Sequence, residues 1–377
     1  MIKVILVAGA RPNFMKIAPI IRAMDKHGGY EVILVHTGQH YDEKMSKSFF
    51  STLGIPEPQY NLEVGSGSHA YQTAEVMVRF ESVCVDEKPD LVLVVGDVNS
   101  TIAAGLVAKK LQIKLAHVEA GLRSRDNCMP EEINRLATDA ISDIFFTTEK
   151  NASDNLIAEG HKEGNIHFVG HVMIDNLYYQ LNSLSNNKIS QNILGIKAKI
   201  NKSYICLTLH RPSNVDSSES LGNIINGVAE IAKNFPVIFP CHPRTREKLS
   251  QFSLDDLIIE YDETTENICS GIILVEPLAF DDFLYLWKDS LAVITDSGGL
   301  QEETSALGVP CLTIRENTER PITIDIGTNV LIGSDMKKLK DTIVNIKNEN
   351  TKDASIPALW DGKAADRIVT ILARETK

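Results

Sequence analysis

Three acidic residues stand where a parallel α/β fold would present its strand ends. They are Asp97 in Gly-Asp-Val-Asn-Ser-Thr, Glu119 in His-Val-Glu-Ala-Gly-Leu-Arg-Ser, and Glu131 in Met-Pro-Glu-Glu-Ile-Asn-Arg. Open α/β sheets bind ligands at the carboxyl ends of their strands. Carboxylates gathered there are suited to removing and returning protons. Two of the three also have ordinary structural explanations. Asp97, before Asn99-Ser100-Thr101, fits a helix N-cap. Glu131 and Glu132 follow Pro130 and suit the positive end of a helix dipole. Glu119 is harder to explain that way, because a glutamate buried at a strand end needs a partner or a role.

Cationic and phosphate-binding patterns accompany these carboxylates. The first apolar run enters Gly9-Ala10-Arg11-Pro12-Asn13-Phe14-Met15-Lys16. This is a strand-to-helix turn with a glycine for close backbone approach and two cations, Arg11 and Lys16. It is not Gly-x-Gly-x-x-Gly, so a dinucleotide cofactor is not expected. Gln39-His40-Tyr41-Asp42 follows the second run, and His40 reads as a ligand contact or as a loop histidine. Further on, His210-Arg211 and His242-Pro243-Arg244 end two successive runs. Neither histidine has metal-ligand spacing with carboxylates, so no metal is expected. The strongest local pattern is Asp296-Ser297-Gly298-Gly299-Leu300-Gln301-Glu302-Glu303. A Ser-Gly-Gly turn opening a helix aims backbone N–H groups at a phosphate, and a glutamate just inside it suits paired ribose hydroxyls. The next run enters Arg315-Glu316-Asn317-Thr318-Glu319-Arg320-Pro321, another polar strand-end loop.

The elements that must position these residues follow from periodicity. Apolar strands are predicted at 3–7, 32–36, 91–95, 114–118, 144–147 and 167–169. Helices are predicted at 14–26, 70–87, 101–111, 131–141 and 152–159. A polar stretch, 182–192, interrupts the alternation. It restarts with strands at 204–209, 237–240, 272–275, 292–295 and 311–314, and helices at 220–233, 281–288 and 300–307. Near-continuous apolar strands alternating with helices indicate doubly wound parallel sheets. The fold class is therefore α/β with two Rossmann-like domains facing a central cleft. The domains are placed at 1–170 and 171–363, and a C-terminal helix at 364–377 is able to pack on the first.

Composition narrows the function classes. The chain has 377 residues, 43% hydrophobic and 23% charged, with a formal net charge of −12. That length exceeds the roughly 250–300 residues a single core usually reaches. The acidic balance argues against broad nucleic-acid binding. Six scattered cysteines without Cys-x-x-Cys spacing read as reduced core thiols. No run approaches the ~20 apolar residues of a membrane span, and the start is too short for a secretory leader. A cytoplasmic protein with no membrane or nucleic-acid partner is expected.

Taken together, these motifs resemble the non-hydrolysing UDP-N-acetylglucosamine 2-epimerase family, over nearly the whole chain. The resemblance rests on Gly9-Ala10-Arg11-Pro12, Thr37-Gly38-Gln39-His40, Gly96-Asp97, His117 to Arg123, Pro130-Glu131-Glu132 with Asn134-Arg135, His210-Arg211, Asp296 to Glu303, and Thr318 to Pro321. It implies the glycosyltransferase-B arrangement, a homodimer, a UDP-sugar substrate and no cofactor. The implied reaction inverts C2 of UDP-GlcNAc through a 2-acetamidoglucal and feeds cell-surface polysaccharide synthesis. By the same resemblance, Asp97, Glu119, Glu131 and His210 are catalytic. Arg11, Lys16, Arg135, Asp296, Ser297, Gly298, Gly299, Glu302 and Arg315 bind the UDP-sugar.

Two departures stand out. Pro212 and Ser213 follow His210-Arg211, where many relatives have Arg and Glu, and Ser46 replaces a usual glutamine. These positions help bind an activating second UDP-GlcNAc in allosteric relatives, so that site is expected to be altered or absent. The competing readings are C2 epimerisation of a modified UDP-2-acetamido sugar (a 2,3-diacetamido uronic acid or a 6-deoxy sugar), a retaining glycosyltransferase, and a catalytically silent UDP-sugar-binding regulator.

Overall fold

A computed structural model of the chain describes residues 1–38, 47–184, 189–200, 202–262, 264, 266–350 and 353–375. His40 and the 41–46 segment, including the Ser46 departure, lie outside these described residues; Pro212 and Ser213 open the short helix Pro212–Val215.

The first sheet contains β1 (Ile2–Ala8), β2 (Tyr30–His36), β3 (Tyr60–Asn61), β4 (Leu91–Val95), β5 (Lys114–Val118), β6 (Ile144–Thr147) and β7 (Ile166–Phe168). Its order is β3-β2-β1-β4-β5-β6-β7, and every pairing is parallel. The second contains β8 (Ile205–Thr208), β9 (Val237–Pro240), β10 (Ile258–Glu260), β11 (Ile272–Val275), β12 (Ala292–Thr295), β13 (Cys311–Thr313) and β14 (Asn329–Leu331). Its order, β10-β11-β9-β8-β12-β13-β14, is again all parallel. Each sheet reverses its winding beside its first strand, between β1 and β4 and between β8 and β12. Such reversals are where doubly wound sheets open a crevice.

Side chains alternate across a strand, so both faces of β1 must be covered. Val4, Leu6 and Ala8 join the core under the helices Arg11–His27 and Ala364–Glu375, while Ile5 and Val7 join the core under His69–Glu87 and Asn99–Lys110. This two-sided burial explains the unbroken apolar strands. In the second unit, Ile205, Leu207, Phe239, Leu274 and Ile294 form one such layer.

The chain divides into two compact units, Met1–Leu177 with Ala358–Lys377, and Tyr178–Pro357. It passes from one to the next within the helix Val172–Ser183; the boundary drawn at residue 170 lies just before that helix. The C-terminal helix Ala364–Glu375 belongs to the first unit. Asp175 accepts the N–H groups of Ala364 at 3.0 Å and Ala365 at 2.7 Å, capping that helix from a distant segment. Tyr30 Oη donates to the Val369 carbonyl at 2.8 Å, and Trp360 Nε1 to the Thr148 carbonyl at 3.3 Å. Among the described residues, no helix is long and apolar enough to cross a membrane.

Gly170 is the tight point of this return. Its φ is +91°, and an added Cβ would stand 2.1 Å from the Leu359 carbonyl oxygen. Gly170→Ala combines left-handed strain with a backbone clash. It is expected to destabilise the first unit by about 2 kcal/mol or more, read as a lower urea midpoint.

Candidate functional site

In the first unit the carboxyl ends of β1, β4 and β5 lie side by side. The turn after β1 is shaped by Asn13, whose Oδ1 accepts the N–H groups of Gly9 at 3.2 Å and Ala10 at 2.9 Å. One turn along the same helix, Lys16 reaches Glu119 at the end of β5 and forms a close ion pair with its Oε2. The glutamate side chain is 5% exposed, and its Oε1 has no hydrogen-bond partner. Its backbone sits at φ +69°, which a non-glycine residue adopts at a cost of about 1–3 kcal/mol. An unpartnered buried acceptor costs a similar amount, more when charged. Gly96, at φ +68°, leaves room for this pair; a Cβ there would lie 3.2 Å from Lys16 Nζ and 3.6 Å from Glu119 Oε2.

Asp97 does not cap the following helix. That helix, Asn99–Lys110, has Val98 at its N-cap and no side-chain cap bond. Asp97 Oδ2 instead pairs with Arg135 at 2.5 Å, and its carbonyl accepts Asn134 Nδ2 at 3.0 Å. Both partners come from the helix Pro130–Ile141. Glu131, in the first turn of that helix, is exposed, whereas its neighbour Glu132 is buried. Glu132 accepts the N–H groups of Ser124 and Arg125, each at 3.0 Å, and pairs closely with Arg135. Burial pushes the Glu132 carboxyl up, but those N–H groups and the Arg135 guanidinium outweigh it and hold the carboxyl below its ordinary range. Arg11 is exposed, with its guanidinium carbon 5.2 Å from the centre of the Phe49 ring.

The second unit repeats the plan at β8 and β12. Asp296, after β12, is fully buried and faces the turn after β8. It accepts the N–H groups of His210 at 3.0 Å and Arg211 at 2.9 Å and Asn214 Nδ2 at 3.1 Å, and it pairs with His210 Nδ1 at 2.7 Å. Burial raises the Asp296 carboxyl, and His210 with the backbone donors more than reverses this. Asp296 therefore anchors the His210 turn, and the His210 side chain remains 56% exposed. The helix Gly298–Leu307 begins beside it, with Ser297 as N-cap and no side-chain cap bond. A Cβ on Gly298 or Gly299 would meet nothing within 4 Å, so open space lies over this first turn. Glu302 is buried and pairs with Arg320 at 2.5 Å. Arg315 is held by Glu319 at 3.2 Å through Nη2, and its buried Nη1 has no hydrogen-bond partner. Arg315 lines a cavity of about 380 Å³ with Arg211, Ser213, Asn214 and Glu316, at the carboxyl ends of β8 and β13. A larger cavity, about 570 Å³, lies beside Lys88, Pro89 and Lys114 at the amino ends of β4 and β5. It lies at the opposite end of those strands from Asp97 and Glu119.

His242 serves its own helix: its Nδ1 accepts the Arg244 N–H at 3.3 Å, and Arg244 pairs with Asp216. No group of three or more His, Cys, Asp or Glu is placed to hold a metal ion among the described residues.

Residues 22–373 match the family model described as UDP-N-acetylglucosamine 2-epimerase. The chain belongs to that family. It is 42% identical over 379 residues to the UDP-N-acetylglucosamine 2-epimerase of Methanocaldococcus jannaschii, covering 98% of each chain. A crystal structure of the M. jannaschii enzyme in complex with UDP-GlcNAc and UDP superposes with a TM-score of 0.78 at 41% identity, over 99% of this chain and 100% of that one. The chain is also 36% identical over 376 residues to the UDP-2,3-diacetamido-2,3-dideoxy-D-glucuronate 2-epimerase of Pseudomonas aeruginosa, covering 99% of each.

Family motifs alone understate the supporting residues. Glu132, Arg135, Thr138 and Asp139 are all buried on one helix. Their spacing is that of a helix face turned inward. Polar residues at apolar spacing are the sequence signal for this inward face, and a helix dipole acting on Glu132 does not require it. Glu132→Gln removes a charge that the fold stabilises. The lowered carboxyl contributes stability above its unfolded pKa and loses it as pH falls through the folded one. The variant should therefore be less stable than wild type by about 1–3 kcal/mol at pH 7, with the difference shrinking below pH 4 in urea titrations.

Proposed function

We propose that this chain interconverts UDP-GlcNAc and UDP-ManNAc by eliminating UDP and adding it back. Glu119 carries the reading: a strained, buried carboxylate with one oxygen gripped by Lys16 and the other without a donor. Such an oxygen is suited to take a proton from carbon. The C2–H of the sugar is weakly acidic, so a positioned base must remove it while the C1–O bond breaks. The electron pair forms the C1–C2 double bond of a 2-acetamidoglucal, and UDP departs as the leaving group. Reprotonation of C2 on the other face, with UDP adding back to C1, gives the epimer. Inversion needs proton exchange on both ring faces, which calls for at least two acid/base groups. Asp97, Glu119 and Glu131 are the candidates.

The departing diphosphate requires cations and oriented N–H groups. Arg11, Lys16, His210 and Arg315 supply the first, and Ser297, Gly298 and Gly299 the second. The open space over the Gly298–Gly299 turn supports this assignment. Glu302 is assigned to the ribose hydroxyls, Arg135 to holding Asp97, and Asp296 to holding His210. Arg11-Pro12 supports return of UDP to the glucal rather than capture by water. A cytoplasmic homodimer supplying polysaccharide synthesis fits this chemistry. Its pairing is supported by Tyr71, Val78 and Val85, exposed at 50%, 67% and 53% and seven residues apart on one helix. Residues seven apart share a helix face.

The P. aeruginosa relative keeps a second substrate in view, a UDP-2,3-diacetamido uronic acid. NMR of the purified protein with UDP-GlcNAc is expected to show UDP-ManNAc with its diphosphate intact. Free UDP with ManNAc would contradict the non-hydrolysing reading. Turnover of the diacetamido uronate alone would move the substrate. Light scattering of the same sample should report a dimer. Asp97→Asn, Glu119→Gln and Glu131→Gln should each lower turnover by ~10²–10⁴. Unchanged turnover in folded Glu131→Gln would return that residue to its helix-dipole role.

A further inference from the structure

Beneath the carboxylates of the first unit lies a buried ionic cluster that touches no reacting position in the scheme above. His117, on β5, is fully buried, and Asp139 is 1% exposed. His117 Nδ1 lies 2.6 Å from Asp139 Oδ1, and His117 Nε2 lies 2.8 Å from the Gly96 carbonyl oxygen. Asp139 Oδ2 accepts the Gly121 N–H at 3.0 Å and pairs with Arg123 Nη1 at 2.8 Å. Arg123 also holds Glu159.

The donor count at His117 is decided by what surrounds it. A carbonyl oxygen only accepts, so Nε2 must carry a proton. Burial pushes the Asp139 carboxyl up, but His117 and Arg123 pull it below its ordinary range. Asp139 Oδ2 already accepts from Gly121 and Arg123, so the carboxyl serves as acceptor and Nδ1 as the ring's second donor. The cluster takes an imidazole, a carboxylate and a guanidinium out of water together. Burying such ions rarely gains stability over well-packed apolar residues, so the cluster calls for another reason to exist.

Its connections supply that reason. Gly96 precedes Asp97, and Gly121 follows Glu119 by two residues. Both glycines have positive φ, +68° and +78°, and an added Cβ on Gly121 would stand 2.2 Å from the Ala152 carbonyl oxygen. These two turns carry Asp97 and Glu119. The strand ladders reach into them, with Gly96 N–H donating to the Val118 carbonyl at 3.0 Å and Glu119 N–H to the Phe146 carbonyl at 3.1 Å, but the Gly96 carbonyl and the Gly121 N–H are met by side chains instead. His117 grips the first through the Gly96 carbonyl. Asp139 grips the second through the Gly121 N–H. Their mutual bond ties one turn to the other.

We infer that His117 and Asp139 are positioning residues: a doubly donating imidazole and its carboxylate fix Asp97 and Glu119 relative to each other without touching substrate. The inference rests on the reading that Asp97 and Glu119 exchange the C2 proton.

The test combines spectroscopy with kinetics on the full chain. In protein labelled with ¹⁵N-histidine, His117 should show protons on both ring nitrogens from pH 6 to 8. A nitrogen without a proton at pH 7 overturns the double-donor arrangement. This readout needs no substrate, so it stands or falls apart from the epimerase reading, whose own failure would appear as absent wild-type turnover of UDP-GlcNAc. Asp139→Asn should drop kcat roughly 10–100-fold, as misplacement of catalytic groups does, while KM stays within about threefold. Full kcat in that variant, with its near-UV circular dichroism signal intact, overturns the positioning role. Where Asp139→Asn does not fold, His117→Gln against His117→Ala decides. The Gln amide can still donate to the Gly96 carbonyl and should recover part of kcat; equal loss in both contradicts the proposal.

Discussion

A carboxylate removed from water must be answered by charge or by hydrogen bonds. At Glu119 the answer is half complete: Lys16 meets one oxygen, and the other has no donor. Much of the first unit's strand-end architecture serves that arrangement. The helix Arg11–His27 begins where Asn13 can shape its entry and Lys16 can reach across to β5. Gly96 stays without a side chain because one would crowd the pair. Glu119 itself accepts a left-handed backbone. Strain and incomplete pairing concentrated at one residue are what a reactive group tolerates and a purely structural one does not.

The same economy of design appears in the second unit with a different purpose. There the buried carboxylate, Asp296, is fully answered by His210, Arg211 and Asn214. Its satisfied state makes it a scaffold. The groups left available are the half-exposed His210 side chain and the first turn of the helix Gly298–Leu307. Under the proposed function, the second unit's open donors suit an anion and the first unit's donor-less oxygen suits a proton.

Much of this was legible in the sequence. Strands β4, β5, β6, β9, β11 and β12 match their apolar runs residue for residue, because burial on both faces writes an unbroken pattern. The helix at 364–375 was equally plain. The edge strands β3, β10 and β14 were not anticipated, since two or three residues at a sheet edge carry no periodicity of their own. At the site, Asp97, Glu119 and the Ser297-Gly298-Gly299 turn were visible as strand-end chemistry. Their partners were not. That Asp97 leans on Arg135, that Glu132 rather than Glu131 is the buried member of the pair, and that Asp296 faces inward all depend on which side of a helix or turn meets the sheet. Local spacing narrows that choice, and tertiary packing makes it.

The central claim is that a proton leaves and returns at C2 of the sugar. The direct measurement is turnover of UDP-GlcNAc in heavy water, followed by proton NMR at C2. The account predicts deuterium at C2 in the UDP-ManNAc formed, with the C2 proton signal lost in step with epimerisation. UDP-ManNAc that keeps its original proton at C2 would contradict it.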